Sequence, residues 1–222
     1  MTQLREPVVL VHGLWMNGFE FGVLRHRLQA RHGFDVHVFP YSSVHGDANA
    51  VADELAQFAL RCAASAEAVH LVGHSLGGAF VYRAAARALR ERPGRAVLLG
   101  APLNGSRAAA SVARLGVLRP LLGNHVFDEL VAPQERRWPA GNTTRALGAI
   151  AGSRRVGLGQ FFAHFGAEEN DGTIAVAETV IPGLDDHLVL PHSHMGLLFA
   201  NDTADQVAHF LRHARFRRDA ER

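Results

Sequence analysis

Short apolar runs alternate along the chain with stretches in which apolar residues recur every three or four positions. Pro7–His12 is a Val-rich run stopped at Gly13, the pattern of a buried strand. Phe21, Leu24 and Leu28 then mark one helix face, and Gly33 suits the position just past the helix end. Asp35–Phe39 is a second strand, halted by Pro40. Val51, Leu55, Phe58 and Cys62 define the next helix, with Cys62 on its apolar face as a small buried hydrophobe. Ala68–Val72 is a third strand, followed by Gly73-His74-Ser75-Leu76-Gly77-Gly78 and an Ala-rich helix to about Arg92 that Pro93-Gly94 breaks. Ala96–Leu99, Leu147–Ala151 and His187–Leu190 supply a fourth, fifth and sixth strand. The closing helix starts near Asn201 or Asp202, with Asp205 placed as in a capping box and Ala204, Val207, Ala208 and Leu211 facing inward. Such alternation predicts an α/β fold: a mostly parallel central sheet of about six strands with helices on both faces.

No linker or repeat divides the chain, so residues 1–222 read as a single domain. Residues 103–146 lack the clean alternation and read as an insertion. Within it Leu115, Val117, Leu118, Leu121 and Leu122 are strongly apolar, interrupted by Pro120. Either a lid that shapes an acyl pocket or two short helices packed on the core accounts for them.

Composition narrows the chemistry. All 23 basic side chains are Arg, which excludes a Ser-Lys dyad, a Schiff-base lysine, a pyridoxal-phosphate anchor and the P-loop lysine. The single Cys62 excludes an internal disulfide framework and a multi-cysteine zinc site. Net charge is only +2, and the Arg212, Arg215, Arg217 and Arg218 cluster suits the negative end of the last helix rather than a nucleic-acid footprint. Neither a signal-type h-region nor a membrane-spanning run is present, so the expectation is a cytoplasmic protein without a transmembrane segment. Gly157-Leu158-Gly159 lacks the third glycine of a dinucleotide fingerprint and reads as loop. No cofactor and no metal are expected; Asp185 and Asp186 precede the sixth strand and point away from the serine described next.

Gly73-His74-Ser75-Leu76-Gly77 matches G-x-S-x-G between a strand and a helix, the context a nucleophile elbow requires. A serine hydroxyl needs a base, and in this class the chain order is serine, acid, histidine. Among 14 histidines, His192 and His194 lie on the loop after the sixth strand; His194, nearest the following helix, is preferred over His192. The acid is expected beyond the fifth strand, where Asp171 sits in an Asp-Gly turn. The oxyanion hole needs two N–H donors: Leu76, after the nucleophile, and Leu14, with Trp15 as the alternative, on the loop after the first strand. Trp15, Met16 and Leu103 are placed at the mouth of the substrate pocket.

Together these pieces resemble the α/β-hydrolase superfamily, and within it the small bacterial lipase/esterase branch near triacylglycerol lipases and GPI-inositol-deacylase-like proteins. The resemblance rests on Val11-His12-Gly13-Leu14, Val72–Gly78, Gly100–Ser106, Asn170-Asp171-Gly172 and Ser193–Leu198, in the family's order over nearly the whole chain. It implies a Ser75, Asp171, His194 triad that hydrolyses carboxylic esters of an apolar acyl group, small-molecule or lipid, through an acyl-enzyme. A thioesterase, an amidase or an acyltransferase would use the same triad. The alternative of another class is a non-catalytic binding module on the same fold.

Overall fold

The apolar runs become strands in the computed structural model, which describes residues 5–64, 66–114, 127–131, 135–139, 144–157 and 165–218. Pro7–Val11 (β1), Asp35–Val38 (β2), His70–His74 (β3), Gly94–Leu99 (β4), Arg145–Gly152 (β5) and Asp186–Leu190 (β6) form one sheet in the order β2-β1-β3-β4-β5-β6. Every neighbouring pair is parallel. The order therefore runs from β1, one strand in from an edge, outward to β2, and crosses back over β1 to build the other side. That reversal opens a crevice beyond the carboxyl ends of β1 and β3, where doubly wound sheets bind ligands.

Strand alternation sorts the core into two layers. Val9, Val11, Leu71 and Leu98 face a cluster shared with Ala48–Cys62 (α2) and Leu76–Ala86 (α3). Val8, Leu10, Val72 and Leu99 face the opposite cluster, shared with Gly22–Ala30 (α1), Gly196–Phe199 (α5) and Asn201–His213 (α6). All of β1 and β3 is buried, as continuous apolar runs covered on both faces require. A further helix, Arg107–Arg114 (α4), lies in the insertion after β4.

Several local expectations shift. The Ala-rich helix α3 ends at Ala86, not near Arg92, and the chain continues in tight turns joined by Leu89 N–H to Ala84 O and Arg92 N–H to Leu89 O. The cause is Arg145, whose fully buried guanidinium collects the carbonyls of Val69 at 3.0 Å, Leu89 at 3.4 Å and Arg92 at 3.0 Å. Burial pushes its pKa down to about 10. Strand β4 starts at Gly94, two residues before the apolar run, and the missing Cβ there lets the backbone pass close to the Val69 carbonyl. Cys62 is only partly buried; Val51, Ala52, Leu55, Ala56 and Ala59 make the inward face of α2. The capping box at α6 does not form. Ala200 is its N-cap, Asp205 instead accepts from His32 Nε2 at 2.9 Å, and Asp202 pairs with His192. At the C-terminus Arg218 pairs with Asp186 at 2.5 Å, which anchors the tail to β6.

Leu115, Val117, Leu118, Pro120, Leu121 and Leu122 lie outside the described residues, as do Leu158 and Gly159. The described parts of the insertion are tied to the core. Ser106 N–H donates to Leu130 O at 2.8 Å, and Trp138 N–H donates to Pro182 O at 2.9 Å. Glu129, fully buried in the π-helical turn Phe127–Val131, is gripped by Arg83 and Arg136, and Arg136 also reaches Leu103 O at 2.8 Å.

Candidate active site

Ser75 falls between the end of β3 and the start of α3, with φ 53° and ψ −124°. An L-residue bears that conformation at a cost, so the surrounding chain must impose it. Glycines make the imposition possible. A Cβ at Gly77 would collide with the Val11 and His12 carbonyls, one at Gly73 would fall 2.6 Å from Gly78 Cα, and one at Gly78 would strike Ala101. The start of α3 thus rests directly on the end of β1. Gly77→Ala is expected to cost about 3 kcal/mol, a fall in Tm of roughly 6–12 °C, because backbone must move to admit the methyl group. A thermal melt checks it, and an unchanged Tm would contradict this packing.

The loop after β1 is held at two points. Tyr41 Oη donates to His12 O at 2.7 Å, its ring stacked on His12 with centroids 4.3 Å apart. Trp15, at φ 60°, donates its N–H to Ser43 Oγ at 2.9 Å. That bond engages the alternative oxyanion donor. The N–H groups of Leu14 and Leu76 make no hydrogen bond to the protein among the described residues, and Leu76 opens a helix whose N-terminus favours negative charge.

Asp171 and His194, distant in sequence, meet beyond the ends of β4 and β5. His194 Nδ1–H donates to Asp171 Oδ2 at 2.7 Å, and the backbones pair through His194 N–H to Asp171 O at 2.9 Å. Asp171 Oδ1 accepts from the N–H groups of Thr173 at 2.9 Å and Ile174 at 2.7 Å, so the carboxylate cannot swing. Both residues are buried, Asp171 at 1% exposure and His194 at 7%. With its proton on Nδ1, His194 carries the lone pair on Nε2, as a base requires. His192 takes a different part: its Nε2 binds Asp202 at 2.7 Å on the exposed side.

Ser75 and this pair share one neighbourhood. Ser75 N–H donates to Leu99 O at 2.9 Å, and Gly100, the next residue, lies under the His194 ring, its missing Cβ 3.0 Å from Nδ1 and 3.2 Å from Asp171 Oδ2. His74, next to Ser75, packs its ring 4.7 Å from that of His194 and bonds His194 O at 3.2 Å. The hydrogen bond of the His194 side chain among the described residues is the one to Asp171.

The sequence patterns give no separate role to His74, Gly100 or Gly152. Complete burial pushes the His74 pKa well below the usual histidine range, and the neighbouring His194 adds to this, so the imidazole stays neutral. Gly152 ends β5 where a Cβ would fall 2.8 Å from Asp171 Cβ and strike the His192 carbonyl. Glycines at two adjacent strand ends were the available signal. The patterns give no role to Glu178 either: it is buried, accepts from Arg107 N–H and Ala175 N–H at 2.8 Å each, and braces the acid turn. Among the expected mouth residues, Trp15 is 64% exposed and Met16 is part-buried, its sulfur 3.2 Å from where a Gly13 Cβ would stand. Leu103 is a correction: at 1% exposure it packs in the core beside Leu130 and Trp138, because the chain turns inward after β4. Asp185 accepts from Leu147 N–H at 2.8 Å and so serves the β5–β6 edge.

Among the described residues no His, Cys, Asp and Glu cluster suited to a metal occurs, and no helix is long and apolar enough to cross a membrane. The model of the Alpha/beta hydrolase family matches residues 8–221, and the chain belongs to that family. Its solved likenesses include lipase BlEst2 of Bacillus licheniformis in mature form, at TM-score 0.70 and 18% identity over 89% of this chain and 88% of that one. Phospholipase PlaB from Legionella pneumophila superposes at TM-score 0.72 and 15% identity over 93% of this chain, which spans 60% of PlaB. Carboxylesterase CesB (YbfK) from Bacillus subtilis gives TM-score 0.56 and 16% identity over 95% of this chain and 84% of that one. At such identities the likeness is one of fold. No curated protein matches the chain.

Proposed function

We propose that the protein is a serine hydrolase that cleaves carboxylic esters of apolar acyl groups through an acyl-enzyme. The observation that carries this is the 2.7 Å His194–Asp171 bond, immobilised by backbone donors and set beside the strained Ser75. In this reading His194 Nε2 takes the Ser75 proton as Oγ attacks the ester carbonyl. The oxyanion so formed receives the N–H groups of Leu14 and Leu76, and collapse expels the alcohol, which leaves with the proton from His194. Water, deprotonated by the same nitrogen, then releases the acid. Asp171 steadies the imidazolium, and neutral His74 puts no second cation beside it. An apolar acyl group suits Trp15 and Met16 next to the donor loop, and the fold is shared with a lipase and a carboxylesterase.

A serine-reactive fluorophosphonate is expected to label wild type and not Ser75→Ala. A p-nitrophenyl ester series of increasing chain length, run on both proteins, then reads the acyl preference. Folded wild type that neither labels nor hydrolyses any ester of the series would overturn the proposal.

A further inference from the structure

An apolar and basic face adjoins the candidate site. Phe19 is 88% exposed and Val23 36%, one helical turn apart on the path that enters α1, while Phe21, Leu24 and Leu28 turn inward. Arg27, one further turn on, donates to Phe199 O at 2.5 Å, which joins α1 to α5. Phe199 is 46% exposed, and Met195, one turn before it and next to His194, is 38% exposed. Trp15 stands out on the loop that leads to Phe19, its backbone pinned in the left-handed region by Ser43.

The charge carried by α1 itself has one sign. Residues 22–32 contain Arg25, Arg27, Arg31, His26 and His32 and no carboxylate. Three acidic neighbours are engaged, Glu20 with Gly18 N–H at 3.1 Å, Asp202 with His192 Nε2 at 2.7 Å and Asp205 with His32 Nε2 at 2.9 Å. Single large apolar side chains interleaved with arginines on an exposed helix match an interfacial surface, where the former enter the acyl boundary and the latter meet anionic headgroups.

We infer that this face, centred on Phe19, Val23 and Phe199 with the arginines of α1 around them, docks the protein on an anionic lipid surface. Docking there would bring the mouth beside Met195 and Trp15 to the lipid. The inference deepens the proposed function and rests on it for that benefit, yet the docking itself needs no turnover.

The test is cosedimentation of the full chain with vesicles of equal parts phosphatidylcholine and phosphatidylglycerol, against phosphatidylcholine alone. Wild type is expected to bind the anionic vesicles at least about tenfold more tightly, and less as salt rises. Phe19→Ser/Phe199→Ser should weaken binding by about tenfold or more, and Arg25→Glu by about tenfold. Both variants should keep the wild-type circular dichroism and hydrolyse dissolved p-nitrophenyl butyrate as wild type does. Ser75→Ala should bind vesicles fully, so a failed hydrolase reading and a failed docking reading give different results. The inference is overturned if wild type does not bind, binds both vesicles equally, or binds unchanged in the double variant. It is equally overturned if sedimentation velocity finds a dimer that the double variant disperses, since the face would then belong to a second copy.

Discussion

Asp171→Asn is expected to lower kcat for a p-nitrophenyl ester by about 10⁴-fold while the protein stays folded. The amide keeps one oxygen, which still accepts from the Thr173 and Ile174 N–H groups that hold the acid turn. It places an NH₂ where Oδ2 now accepts from His194 Nδ1 at 2.7 Å. Two donors cannot share that bond, so His194 shifts its proton to Nε2 and loses the lone pair that the proposed mechanism needs. The His74 ring packed 4.7 Å away and the His194 N–H bond to Asp171 O keep the ring from moving aside. Steady-state kinetics with an unchanged thermal melt checks this; activity within about tenfold of wild type would place the acid elsewhere.

Glu129→Ala is expected to destabilise the fold by about 3–5 kcal/mol, read as a lower denaturation midpoint. Glu129 is fully buried between two guanidiniums, and Arg136 is itself only 6% exposed at its side chain. Burial already presses the Arg136 pKa down, and Glu129 is the neighbour that resists. Removing the carboxylate leaves a buried cation without its counter-charge, whereas Glu129→Leu/Arg136→Met removes both charges and should cost clearly less. A double variant as unstable as the single one would mean that packing volume, not charge, governs this site.

The strand framework was legible because apolar periodicity and glycine punctuation are local signals. The elbow was legible because its steric demand leaves glycines at fixed spacing around Ser75. Asp171 and His194 could be placed by chain order, but their contact depends on how β5 and β6 end, which periodicity does not encode. Interactions that override local preference stayed hidden. The α3 terminus yields to Arg145, fifty-odd residues away in sequence, and the expected α6 cap loses Asp205 to His32. Leu103 looked like a rim residue because it follows a strand end, and only the path of the chain after β4 turns it inward. His74 carries no periodic signal at all; its neutrality comes from complete burial and from the ring packed against it.

The seat of α3 on the end of β1 has a consequence for engineering. Gly77 meets the Val11 and His12 carbonyls directly, so main chain, not side chains, fixes the span between Ser75 and the Leu14 N–H. Under the proposed function, reactivity and selectivity are then separable: substitutions at Trp15, Met16 and Met195 would change which ester is accepted, with the reactive framework inherited intact.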